Sequence, residues 1–141
     1  TSYNNIGLVY MRQCDYDKAL EYYYKALEIY EKVLGTEHSS TAASYNNIAG
    51  VYYAQGDYGK ALEYYFKALA IGEKVLGTKH PDTATSYNNI GEVYRAQGDY
   101  DNALEYYQKA LKVFLTTFGE EYPRTKRIRK NLTHLQEKMK G

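Results

Sequence analysis

Apolar and polar positions along this chain recur at helical spacing, in paired stretches. Tyr3, Ile6, Gly7 and Tyr10 fall at i, i+3, i+4 and i+7, the stripe of a helix buried on one side. Ala19, Leu20, Tyr23, Ala26, Leu27, Tyr30 and Leu34 continue that spacing over a longer stretch. Between the two lies Gln13-Cys14-Asp15-Tyr16, matched later by Gln55-Gly56-Asp57-Tyr58 and Gln97-Gly98-Asp99-Tyr100. A glycine there takes the left-handed conformation that ends a helix, and the aspartate caps the next one. Cys14 stands at the glycine position of the first turn, which predicts a slightly strained bend.

The pattern predicts a unit of two helices, the second longer, and that unit repeats. Ser-Tyr-Asn-Asn-Ile begins at Ser2, Ser44 and Ser86, a constant period of 42. Ala19, Ala61 and Ala103 keep the register, as do Tyr23, Tyr65 and Tyr107, and Gly35, Gly77 and Gly119. The first two repeats agree at 29 of 42 positions, and the second and third at 23 of 42. Pro81 suits the first turn of a helix, and Pro123 opens a fourth segment in which Asn131 aligns with Asn89 and Leu132 with Ile90. The expected organisation is one array over residues 1–141. Repeat one is 1–42, repeat two 43–84, repeat three 85–121, and a capping helix fills 122–141. The cap carries net charge +4 from Arg127 to Gly141, as suits a terminal helix with a polar outer face.

A single helix pair is too small to bury its own apolar face, and stacking solves that. The fold class expected is all-α, a right-handed α-solenoid of antiparallel helix pairs. Small residues (Gly7, Ala19, Ala26) face large ones (Tyr3, Tyr10, Tyr23), so most of the 19 tyrosines are expected to be structural.

The series Tyr-x2-Ile-Gly/Ala-x2-Tyr, then Gly-Asp-Tyr, Ala-Leu and Ala-x3-Tyr, resembles the tetratricopeptide repeat, with Tyr3, Tyr45 and Tyr87 where that pattern has Trp. The period of 42 exceeds the usual 34 and lies in the range of HEAT and armadillo repeats, which lack the Gly-Asp-Tyr turn. The extra residues sit in the extended second helix and the Gly-Thr-x-His-Pro loop. That arrangement is similar to the 42-residue units of kinesin light chains. The resemblance implies a module that binds extended peptides in a concave groove lined by the first helix of each pair, with no cofactor.

At about 100° per residue, Thr1, Asn4, Asn5, Leu8 and Arg12 lie opposite the buried stripe of the first helix. Their equivalents are Ala43, Asn46, Asn47, Gly50 and Ala54, then Thr85, Asn88, Asn89, Glu92 and Ala96, with Met11, Tyr53 and Arg95 flanking. The fourth segment contributes Arg127, Lys130, Asn131 and His134. Asn is a poor helix former, so two in mid-helix, three times over, need a reason. An amide has donors and an acceptor for the main chain of an extended peptide. By resemblance to peptide-binding relatives, that role falls to Asn4, Asn46 and Asn88 and to Asn5, Asn47 and Asn89. The alternative is that one of each pair holds the stack together. The candidate peptide-binding groove is thus Asn4, Asn5, Leu8, Arg12, Asn46, Asn47, Tyr53, Asn88, Asn89, Arg95, Arg127 and Lys130. Arg95, Arg127, Lys130 and His134 form a basic end, its field weakened by Glu92. Too few cations line the rest for a clamp on a terminal carboxylate, so a mixed polar and apolar peptide fits better.

Composition removes other classes. With 18 basic and 17 acidic residues, bulk charge does not favour nucleic acid. One cysteine forms no internal disulfide, and no stretch nears the roughly 20 apolar residues of a membrane span. No leader is evident, so a cytoplasmic location is expected. His38, His80 and His134 lack metal-ligand spacing, and the recurrent Glu21, Glu63 and Glu105 read as a solvated face. No catalytic residue, metal or cofactor is therefore expected. Thr1 opens directly on a repeat, as in an excised piece of a longer array or an engineered consensus. A second function follows from that: a self-assembling or spacer element stacking head to tail through its first helix.

Overall fold

The computed structural model describes residues 2–140. Seven helices follow one another with no strand among the described residues: α1 (Tyr3–Arg12), α2 (Tyr16–Val33), α3 (Ser39–Ala54), α4 (Tyr58–Val75), α5 (Pro81–Gln97), α6 (Tyr100–Phe118) and α7 (Pro123–Lys140). They fall into two compact units, α1–α4 and α5–α7, divided after Val75.

The helix boundaries come from local chemistry. Asp15, Asp57 and Asp99 accept hydrogen bonds from the backbone N–H of Lys18 (3.4 Å), Lys60 (3.2 Å) and Asn102 (3.4 Å), capping α2, α4 and α6. His38 and His80 do the same for α3 and α5, Nδ1 accepting from Ser40 N and Asp82 N at 3.0 Å. Both histidines, which lack metal-ligand spacing, thus act as N-caps. Gly56 and Gly98 close α3 and α5 at φ +81° and +82°, and Cys14 occupies the same turn at φ +61°. A side chain in that region costs about 1–2 kcal/mol, partly offset by the greater unfolded-state entropy of glycine. Cys14 is exposed, and its removal costs little beyond a hydrogen bond between its side chain and that of Tyr16. Cys14→Gly is therefore expected to stabilise the protein by about 0.5–1 kcal/mol, read as a rise in Tm by circular dichroism.

In the α1–α4 unit, Ala19, Tyr23 and Leu27 of α2 pack with Ile48 and Val51 of α3. Gly7 lets α1 lie flat on Tyr23: a Cβ there would come within 2.7 Å of the ring. Repeat two carries Ala49 at the equivalent position and Gly50 beside it, where a Cβ would lie 3.8 Å from the Tyr65 hydroxyl. The hydroxyls of Tyr24, Tyr52 and Tyr64 meet at 3.0 and 2.9 Å, tying α2 to both α3 and α4. In the α5–α7 unit, Ala103 and Tyr107 of α6 pack with Leu132 and Leu135 of α7.

Tyrosine also organises the outside of each helix pair. Tyr10–Tyr22, Tyr52–Tyr64 and Tyr94–Tyr106 stack with centroids 5.6, 5.7 and 5.8 Å apart. A lysine ammonium lies over the second ring each time: Lys25 at 4.9 Å, Lys67 at 4.9 Å and Lys109 at 5.0 Å. Apart from Tyr3, every tyrosine is buried or half-buried. Burial, and then the bonds to Tyr52 and Tyr64, raise the Tyr24 pKa far above its ordinary value; burial likewise raises that of Tyr107. A raised folded-state pKa contributes stability that is complete below the unfolded value of about 10 and is lost as pH climbs above it. Melts between pH 8 and 11.5 are therefore expected to show a constant Tm that falls steeply once pH passes about 10.

Candidate functional site

The first helix of each pair carries the paired asparagines, and the two members of a pair sit differently. Asn4, Asn46 and Asn88 are half-buried, and in all three the side-chain Oδ1 is inaccessible and without a hydrogen-bond partner. Asn4 also donates from Nδ2 to the Tyr30 hydroxyl of α2, 3.3 Å away. Gly72 and Phe114 stand where Tyr30 would recur, so neither Asn46 nor Asn88 has that partner. The second member is more open: Asn5 is exposed, Asn47 and Asn89 are half-buried, and none has its Oδ1 sealed. An orphaned buried oxygen costs roughly 1–3 kcal/mol, so the first amides are an expense borne in every repeat.

In the α1–α4 unit, α1 presents Asn5, Leu8 and Arg12 as exposed side chains. On α3, Asn46, Asn47 and Tyr53 are half-buried, the Tyr53 ring lying 5.6 Å from that of Tyr58. Thr1, which periodicity places on the same face of α1, lies outside the described residues.

In the α5–α7 unit, the residues converge more closely. Glu92 of α5 has both carboxylate oxygens engaged: Oε1 accepts from Asn131 Nδ2 of α7 at 3.2 Å, and Oε2 from the Arg95 guanidinium at 2.7 Å. Arg95 donates a further bond from Nε to the Tyr107 hydroxyl at 3.3 Å. The bonds to Glu92, then to Tyr107, raise the Arg95 pKa above its usual value. A second link between α5 and α7 runs from Arg124 to the Thr85 hydroxyl at 3.0 Å. Arg127, Lys130 and His134 are exposed on α7. The ion pairs of that helix instead use Lys126 with Glu121 at 3.0 Å and Arg129 with Glu120 at 3.4 Å. Of the four cations expected at the basic end, Arg95 is thus engaged within the fold, while Arg127, Lys130 and His134 face solvent. The i, i+3 spacing of Glu92 and Arg95 was a signal of their pairing. The grip of Asn131 on Glu92, 39 residues away, had none.

The turns, paired helices and small-to-large packing are those of one repeat type throughout. The tetratricopeptide repeat model matches residues 1–74, 41–116 and 82–140.

The chain belongs to the tetratricopeptide repeat family.

Solved structures share the fold, the all-α repeat solenoid. BtubC (BKLC) from P. vanneervenii is 27% identical with a TM-score of 0.87, covering 96% of this chain and 54% of that one. A Podosopora anserina chain of nearly identical TPR-like repeats, described as of kinesin light chain type, is 25% identical with a TM-score of 0.85, covering 94% and 63%. The TPR2AB domain of yeast Sti1, solved in complex with pHSP90, is 24% identical with a TM-score of 0.77, covering 98% and 46%. The chain therefore spans about half to two thirds of the length of its kinesin-light-chain-like neighbours. No curated protein matches it in sequence. Among the described residues, no helix is long and apolar enough to cross a membrane, and no group of three or more His, Cys, Asp or Glu side chains converges.

Proposed function

We propose that this tetratricopeptide chain is a non-catalytic, cytoplasmic protein-interaction module whose first-helix faces bind an extended or short helical peptide segment. One observation carries the reading: asparagines with open amides recur at Asn5, in the first turn of α1, and in mid-helix at Asn47 and Asn89. Such amides are costly in helix propensity and have no structural partner to justify them. Each has donors and an acceptor for a peptide's N–H and C=O. Leu8 and Tyr53 supply apolar contact and Arg12 charge in the α1–α4 unit, and Arg127 and Lys130 supply charge in the α5–α7 unit. Asn4, Asn46 and Asn88 stand beside them, half-buried and with Oδ1 inaccessible. That the related yeast Sti1 domain was solved with pHSP90 agrees with a partner-binding role.

The test is a random twelve-residue peptide library panned on the chain and on variants. Asn47→Ala/Asn89→Ala is expected to weaken the recovered peptides at least tenfold while leaving Tm nearly unchanged. Asn46→Ala/Asn88→Ala is expected to move Tm more than affinity. Unchanged affinity in the first variant would sink the reading.

A specific observation also favours the assembly reading. Val9 and Ile29 are 50% and 45% exposed, whereas their equivalents Val51 and Ile71 are 0% and 8%. Ile71 packs on Ala42 and Tyr45, a contact Ile29 lacks. An apolar face on α1 and α2 suits another helix pair, and sedimentation equilibrium over a hundredfold concentration range tests whether a second copy supplies it. A constant monomer mass excludes that.

A further inference from the structure

This inference rests on the peptide-binding reading and adds the chemistry of the partner at one end. At the first-helix position held by Leu8 in repeat one and Gly50 in repeat two, repeat three has Glu92. That carboxylate has both oxygens held, by Asn131 and by Arg95. Asn131 is the register equivalent of Asn89 and Asn47, whose amides are open. The amide ladder is therefore closed at this step by a carboxylate from the chain itself. On the helix that carries Asn131, the side chains of Arg127, Lys130 and His134 are exposed, and none pairs with an acid among the described residues. The only acid on α7 is Glu137, about 80° around the helix from Arg127 but within about 20° of Lys130 and one turn beyond His134. An amide and a guanidinium holding one carboxylate form an anion site whose present occupant is internal, with exposed cations on the helix that carries the amide.

We propose that Glu92 is a built-in competitor for a partner's acidic side chain: a bound peptide places an Asp or Glu between α5 and α7, against Asn131, Arg127 and Lys130, and displaces Glu92 from Asn131. Glu92 sets specificity here, because a partner whose acid cannot reach leaves the internal pair in place. Its negative charge also repels the incoming acid, so the wild-type chain binds more weakly than the cations alone would allow. Glu92→Gln keeps the size and the hydrogen-bonding carbonyl while removing the charge. Because Arg95 retains Tyr107 and keeps contact with solvent, the variant is expected to fold.

The experiment pans the twelve-residue library on the wild-type chain and on E92Q, then measures affinities for matched peptides in which each Asp or Glu is replaced by its amide. Asp and Glu are expected to be enriched on E92Q. Acidic peptides are expected to bind it about tenfold more tightly than wild type, with the gain falling as salt rises. Arg127→Gln/Lys130→Gln is expected to erase both the enrichment and the gain, and the amide peptides are expected to bind both chains equally. Melting curves establish that each variant is folded. If peptides bind through Asn47 and Asn89 but E92Q leaves acidic and amide peptides unchanged, this proposal fails and the peptide-binding reading stands. If neither chain retains any peptide, both fail.

Discussion

Replacing Tyr107 with Ala is expected to cost about 3–5 kcal/mol, enough to unfold the α5–α7 unit near physiological temperature. Its side chain is 0% exposed and packs with Ala103, Leu132 and Leu135, so truncation opens a cavity that three elements line. The ring also lies against the Gly91 backbone, where a Cβ would come within 3.0 Å. That close fit leaves little scope for α5 and α6 to collapse inward. The hydroxyl contributes separately, because it accepts a hydrogen bond from the Arg95 guanidinium. Tyr107→Phe keeps the ring and removes that bond, so it is expected to cost about 1–2 kcal/mol. Chemical denaturation followed by circular dichroism separates the two: a large shift for Ala and a small one for Phe. Equal losses would mean that the hydroxyl, not the ring, holds the unit together.

Ending the chain at residue 122 is expected to be nearly as severe. Removing α7 takes away Ile128, Leu132 and Leu135, which are 3%, 6% and 1% exposed. At about 1.5–3 kcal/mol for each buried side chain, the loss is on the order of 5 kcal/mol or more. It also uncovers Ala103 and Tyr107 with Leu104 and Leu111 beside them, an apolar strip without a partner. The truncated chain is expected to melt at lower temperature, to bind a hydrophobic dye and to aggregate. The outer face of the same helix behaves differently. Arg129 pairs with Glu120 at 3.4 Å where both side chains are well exposed, so Arg129→Gln is expected to stay within about 0.5 kcal/mol. A truncated chain as stable as the full one would show that α7 is an appendage and that α6 needs no cap.

Much of this architecture was legible because it is local. Helix starts at Asp15, Asp57 and Asp99, the proline at the head of α5 and the turns at Gly56 and Gly98 each depend on residues within about four positions. The strain at Cys14 followed from one missing glycine, and φ +61° is the form it takes. Repetition then multiplied each local signal by three. The pairing of small with large residues was equally plain, because Gly7 and Tyr23 belong to helices joined by a short turn.

The candidate site divides differently. Sequence placed two asparagines on one helix face, since 100° per residue is a property of the helix alone. It did not determine which amide of each pair turns into the packing, because that depends on where the neighbouring helix lies and what it carries, Tyr30 in one repeat and Phe114 in another. Nor did it determine that Asn131 would hold Glu92. Those residues are 39 positions apart, and their contact exists only because α6 brings α7 back beside α5. The sequence by itself determined the helices, their turns, the repeat and the face that bears the asparagines, since each follows from short-range geometry. Only the tertiary structure decided which amides are open and which cations are already engaged, because those outcomes depend on distances between helices that no periodicity encodes.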